Sequence, residues 1–311
     1  MDNQYSEWKN VCGPKCAEGL FWFYVAVSAA TCLPMLILWF DHPHPLSEFS
    51  PIYAFLIFPL MLTGVVAFNV LKVVPHDTRN SVHILFTGCF FQGLGSFMTF
   101  FYICIYILRI IMGGVLKNRE ATGAFIVCGP PGFTALAIIK LGADARDILT
   151  NNDLISPVAG EVWYAGSIMG GIMLYGLAVF LFVFSAVPWW FNVSKHLHDI
   201  LGLWALTFPN VGWILATRVI GDIFHFKAFK IIHIILCVCL GLTWIVLFVL
   251  TLIAFKRGYI LESDPEDVLK DAIYNRRVAH AGEVEKSNPP QIPPIFLFHE
   301  PHQPRRADSP V

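Results

Sequence analysis

The side chains able to do chemistry are few in this sequence, and their spacing excludes most reactions. Cys12 and Cys16, in CGPKC, have the spacing of half a metal site, but a zinc ion needs two more ligands nearby and none follows. The pair also suits a small disulfide if the N-terminus faces an oxidising compartment, or two unpaired thiols. His196 and His198, in KHLHD, stand two apart and so do not share a helical face. They read as loop residues that titrate near neutral pH, a weak indication of proton coupling. No paired carboxylates, serine–histidine pair or histidine cluster falls within the apolar segments, so no catalytic set can be assembled and no cofactor or metal is called for.

What remains is a handful of charges inside or beside apolar runs, and prolines where helices ought to be continuous. Arg109 interrupts YICIYILRIIMGG. A guanidinium at mid-membrane costs about 2.5–3.5 kcal/mol, so snorkelling or an inter-helix salt bridge is favoured over anion binding. Lys140 ends an apolar segment and suits an anion-attracting charge at a pore mouth. Arg218 and Asp222 are four apart and pair if the helix continues. Gln92 and Thr134 read as inter-helix hydrogen-bonding groups. Pro209, in LTFPNVGW, lies within an apolar run, where a proline costs roughly 3 kcal/mol in a helix interior. Phe208 beside it is either a gate or one packed aromatic among 27 phenylalanines.

The elements that position these residues are membrane helices. The chain has 311 residues, 56% hydrophobic and 14% charged, with mean hydropathy +0.62. Soluble domains carry about 25% charged residues. Seven segments reach the roughly 20 apolar residues that span a bilayer: about 19–40, 51–74, 82–111, 121–141, 161–190, 199–218 and 229–255. The sequence thus predicts an all-α polytopic membrane protein with a short polar segment over 1–18, a transmembrane domain over 19–256 and a polar, proline-rich, disordered tail over 257–311. The longest link is expected over 142–160. A net charge of −1 gives no reason to expect a nucleic-acid partner.

Aligning the prolines exposes a repeat. Pro59 in FPLMLTG, Pro131 in CGPPGF and Pro209 in TFPNVG are 72 and 78 residues apart, each step covering two helices. Broken and straight helices therefore alternate three times, with one straight-type helix in front. A broken helix in hydrocarbon is tolerated where its freed backbone groups meet protein, water or ligand, so the broken helices are expected inside and the straight ones toward lipid. Phe58 and Phe133 flank the other two breaks as candidate pore aromatics. Gly64, Gly129 and Gly212 beside the breaks permit close backbone approach.

FQGLGSFMTFFYICIYILRIIMGGVL (91–116), VCGPPGFTALAIIKLGADAR (127–146) and ALTFPNVGW (205–213), in this order, resemble the tellurite-resistance/dicarboxylate transporter family of malic acid permeases, sulfite efflux pumps and slow anion channels. The order is most similar to the malic acid permease branch. The resemblance implies ten helices in five hairpins around a central pore, with proline-kinked inner and straight outer helices. It makes Phe208 the counterpart of a pore-plugging phenylalanine, with Phe58, Pro59, Gly129, Pro130, Pro131, Phe133 and Pro209 at the kinks of pore-lining helices. It further implies proton-coupled movement of malate or another C4 dicarboxylate across the plasma membrane, with sulfite efflux or an anion channel as the alternative. The seven helices match the family's fourth through tenth. The expectation is therefore a shortened gene model, a non-transporting isoform, or a chain that completes its pore as a homo-oligomer.

Lysine and arginine counts beside the helices favour a cytoplasmic N-terminus by a small margin. The resemblance implies the reverse, with a cytoplasmic tail. An N-glycan at Asn192 (NVS) would overturn that orientation. A seven-helix receptor is excluded by the missing charged triplet after the third helix and the missing proline in the seventh.

Overall fold

The computed structural model describes residues 13–256 apart from 42, 47–48, 115, 117–119 and 192–200. Cys12, His196, His198 and the tail over 257–311 lie outside the described residues. Within them the regular structure is helical: α1 (Pro14–Phe40), α2 (Phe58–Leu71), α3 (Arg79–Gly113), α4 (Gly129–Asn151), α5 (Ala159–Phe191), α6 (Phe208–Ile223) and α7 (Lys227–Lys256). Three short 3-10 segments, Pro51–Leu56, Ala124–Cys128 and Gly202–Leu206, precede α2, α4 and α6. Six helical stretches are long and apolar enough to span a bilayer, and α2 is a seventh, shorter one. The chain is an integral membrane protein. Tertiary contacts form one unit up to Ile253, and a second starts at Ala254, of which only the last residues of α7 are described.

The three breaks share one construction. Each is a change from 3-10 to α-helix, and the prolines stand in the first turn of the α-helical half: Pro59 in α2, Pro130 and Pro131 in α4, Pro209 in α6. A first-turn N–H has no intrahelical partner, so proline there removes nothing and pre-sets φ. The roughly 3 kcal/mol cost of an interior proline is thereby avoided.

Carbonyls around each break receive side-chain donors. Tyr24 of α1 donates its hydroxyl to the Pro59 carbonyl at 2.7 Å, and Ser185 of α5 donates to the Ala124 carbonyl at 2.8 Å. In the third break, the Asn210 amide donates to the Leu206 carbonyl at 2.8 Å. The Trp204 indole nearby donates to Thr251 of α7 at 3.0 Å. The donor comes from the neighbouring helix α1 or α5 at the first two breaks and from α6 itself at the third, so protein satisfies these backbone carbonyls, as hydrocarbon surroundings require.

Burial sorts the helices into inner and outer. In the most apolar stretch of Ala121–Asn151, 89% of residues are buried, against 17% in Ala159–Trp190 and 6% in Lys227–Lys256. Ile231, Ile234, Ile235, Val238 and Leu242 of α7 are all exposed apolar groups suited to lipid. The inner helices meet through small residues, with Ala67, Ala135, Ala137, Ala145 and Ala216 fully buried. Such residues let helix backbones approach closely in a membrane.

One boundary differs from expectation. α4 runs to Asn151, so the link expected over 142–160 shortens to 152–158. The polar residues after Leu141 read as a loop by composition, yet Leu141, Ala145, Ile148 and Leu149 keep an apolar stripe at helical spacing and are buried.

Candidate functional site

The three breaks converge on one point. The Phe208 ring lies 5.1 Å from that of Phe133 and 6.1 Å from that of Phe58, centroid to centroid. An added Cβ on Gly129 would lie 3.3 Å from both the Phe58 ring edge and the Pro209 Cα, so all three broken segments meet at this glycine. α4 and α6 then cross in backbone contact. A Cβ on Gly132 would come within 2.8 Å of the Trp213 nitrogen, and one on Gly212 within 2.5 Å of the Phe133 nitrogen.

Within this aromatic cluster the three rings are not equivalent. Phe58 and Phe133 are buried, at 3% and 4% exposure, whereas Phe208 is 43% exposed. Phe208 also heads an open stripe along α6. Leu215, Arg218 and Asp222 are exposed and Val211 and Val219 half-buried, while Pro209, Asn210, Gly212, Trp213, Ile214, Ala216, Thr217 and Ile220 are buried. α2 has a matching stripe through Leu62, Val65, Asn69 and Lys72. These stripes are the faces of inner helices that the described residues leave uncovered. They are apolar beside the breaks and turn charged only toward the helix ends.

Polar groups behind the cluster fix the geometry. Buried Asn210 accepts from the Trp213 indole at 2.9 Å and from the Cys128 thiol at 3.4 Å, tying the first turn of α6 to the segment before α4. Gln92 of α3 donates to Thr134 of α4 at 3.0 Å, and Thr134 donates onward to the Pro130 carbonyl at 2.7 Å. Gln92 and Thr134 are therefore each other's partners across two helices.

The charged candidates separate. Arg109 lies near the C-terminal end of outer helix α3 and donates to the backbone carbonyl of Phe49, ahead of the first break. Lys140, expected at a helix end, is instead the middle residue of inner helix α4 and half-buried, because α4 continues to Asn151. In the last turns of α6, Arg218 pairs with Asp222 at 2.8 Å, and Lys230 binds the same carboxylate at 2.9 Å.

Sequence reasoning missed Asp144. The carboxyl lies within electrostatic reach of His76, Lys140, Asp147 and Lys72. Its signal in the sequence is the four-residue spacing from Lys140, informative only once α4 is known to continue that far.

A family model described as SLAC1, voltage-dependent anion channel, matches residues 8–252. The malic acid transport protein of Schizosaccharomyces pombe is 30% identical over 296 residues, covering 93% of this chain and 62% of that protein. A putative malic acid transport protein of the same organism is 26% identical, covering 80% of this chain and 58% of its own length. The sulfite efflux pump SSU1 of Arthroderma benhamiae is 26% identical, covering 79% of this chain and 64% of that protein. This chain thus spans about three fifths of the length of the curated relatives it matches. No solved structure matches it at a significant level. With the match running from before α1 to near the end of α7, the chain belongs to the voltage-dependent anion channel family.

Proposed function

We propose that this chain moves small organic anions, malate or another C4 dicarboxylate, across the plasma membrane with protons, along the open inner-helix stripes. Phe208 is the gate. The observation that carries this reading is the half-exposed Phe208 ring at the point where three broken helices converge. Phe58 and Phe133, both buried, form the surface against which that ring rests rather than the passage itself. Pro59, Gly129, Pro130, Pro131 and Pro209 set the backbone that brings them together. The named activity of the 30% identical relative supports malate as substrate.

The chemistry of the stripe suits passage over retention. From Phe208 to Leu215 it is apolar, and strong fixed sites would hold an ion rather than release it. Lys140, midway along inner helix α4, attracts anions into the passage. Arg109, near the end of outer helix α3, orders the connection to the first break. In this reading the N-terminal side faces the medium and the C-terminal tail the cytoplasm.

The test is uptake of labelled malate by cells expressing the chain, at acidic and neutral external pH, with Phe208→Ala alongside. Uptake should rise at acidic pH, and Phe208→Ala should raise the flux severalfold. Unchanged flux in that variant refutes the gate. Sulfite export without malate uptake assigns the chain instead to the chemistry named for its 26% identical relative.

A further inference from the structure

Behind Phe208, on the lipid side of the molecule, the helices leave a crevice. A cavity of about 320 Å³ lies between α5, α6 and α7, walled by the rings of Phe182, Trp189 and Trp213 on one side and by Leu236 and Leu240 of α7 on the other. Its floor is buried: Phe125, Asn210, Trp213 and Ile214 are each at most 5% exposed. Its mouth is open among the described residues, with Trp190 of α5 and Cys239 of α7 exposed. Around the mouth the helices show lipid-facing apolar groups, Val183 and Val187 on α5 and Val238 and Leu242 on α7. The crevice therefore opens sideways into hydrocarbon. Leu206, Asn210, Trp213 and Ile214 line it, whereas Phe208, Val211 and Leu215 form the open stripe beside the same break. Residues two apart stand about 200° apart around a helix, so crevice and stripe occupy opposite faces of α6.

The lining decides what fits. No charged side chain belongs to it. Asn210 donates to the Leu206 carbonyl at 2.8 Å and accepts from the Trp213 indole and the Cys128 thiol, and Thr243 donates to the Cys239 carbonyl at 2.9 Å. The Trp189 indole nitrogen is itself buried, and its ring meets that of Phe125 edge to face at 5.9 Å. The crevice thus offers an occupant surface contact and almost no hydrogen bonding. An apolar cavity of about 150 Å³ already stays dry and takes up benzene. Left empty in a bilayer, this larger one forfeits the dispersion contacts of its whole lining. Its length fits a lipid tail. Phe182 to Trp189 on α5 and Leu236 to Thr243 on α7 each cover about 10 Å at 1.5 Å per residue, within the roughly 15 Å that the tails of one leaflet span. Trp189 and Trp190, in the last turn of α5, stand where tryptophan marks the membrane interface, and Leu240 lies near the middle of α7. The crevice thus runs from headgroup level toward the midplane.

We propose that this crevice is an acyl-chain site: one fatty-acyl tail of a phospholipid enters beside Trp190 and lies against Trp213 and Ile214, behind the break of α6. Its headgroup stays at the level of the tryptophans, so the site reads the tail and not the headgroup. The seated tail braces Leu206 and Asn210 from the side opposite Phe208, and the bilayer itself thereby supports the helix that carries that ring. The site goes beyond the proposed function and stands whichever anion the chain moves.

The test reconstitutes the full chain in nanodiscs of phosphatidylcholine that carries a photoactivatable diazirine midway along one tail, and maps the adducts by mass spectrometry. Val238 and Leu242, on the outer face of α7, report ordinary contact with the bilayer. Adducts are expected as well on Trp213 or Ile214, which a bilayer lying flat against the helices cannot reach. Leu240→Trp and Ala186→Phe fill the crevice from its two walls. Each should lower the Trp213 and Ile214 adducts severalfold and leave those on Val238 and Leu242 unchanged. Either variant suffices if the other is not monodisperse. Wild-type protein that labels on Val238 and Leu242 but not on Trp213 or Ile214 overturns the inference, as it would if the chain's own tail closed the crevice. Adducts on Trp213 and Ile214 that persist in the filled variants overturn it too, and so does their capture by a photoactivatable sterol in place of the phospholipid. None of these outcomes touches malate uptake or its response to Phe208→Ala.

Discussion

Gly212→Ala tests the packing that brings the three breaks together, independently of any transported substrate. An ideal Cβ at Gly212 would lie 2.5 Å from the Phe133 nitrogen and 2.8 Å from both the Gly132 carbonyl carbon and the Phe133 Cα. Ordinary contact begins at 3.4 Å, so the methyl group is short of room by about 0.9 Å. Every obstructing atom is backbone, and no rotamer change can relieve it. α4 and α6 must separate by close to an ångström, and overpacking of this kind costs about 3 kcal/mol at the upper end of the usual range. Alanine returns about 1 kcal/mol through its better helix propensity. The net expectation is a loss of about 2 kcal/mol, or roughly 3 °C in the unfolding midpoint of a chain this size. Gly176→Ala is the control, because nothing lies within 4 Å of a Cβ there. That variant keeps the propensity gain, so the two substitutions should shift the midpoint in opposite directions. Thermal unfolding in detergent, followed by tryptophan fluorescence with Trp213 next to the contact, reads both. A Gly212→Ala midpoint equal to or above wild type would show that the close crossing of α4 and α6 is not as described.

Two other predictions rest on single hydrogen bonds. Thr134→Val removes the acceptor of the Gln92 amide, which is buried at 1% exposure, and should destabilise the protein by about 1–3 kcal/mol, whereas Thr134→Ser should behave as wild type. Arg109→Ala breaks the bond to the Phe49 carbonyl and should cost about 1.5–3 kcal/mol, with faster proteolysis near residue 49. If instead Arg109 served only to snorkel its charge, Arg109→Lys would restore full stability; the carbonyl contact predicts partial rescue.

Much of the architecture was legible from order and composition. Long apolar runs require helices because no water in the bilayer core can satisfy a free backbone. Three prolines in alternate helices marked which of them would be inner, and the burial of Ala121–Asn151 against the exposure of α7 follows that division. The pairing of Arg218 with Asp222 was legible because spacing alone fixes neighbours within one helix. The same rule could not reach Lys140 and Asp144 while the end of α4 was read as a loop, since a polar stretch gives little sign that its few apolar residues are buried.

The sequence by itself determined that this is a helical membrane protein, which helices are broken, and that Phe208 stands beside the third break. Its reach ends there because periodicity relates residues along one helix and carries no information on which residues face each other across helices. Tertiary structure alone decided that Phe58 and Phe133 are buried behind an exposed Phe208. It also decided that the prolines begin helices rather than bend them, and that a serine, a tyrosine and an asparagine satisfy the carbonyls around the breaks.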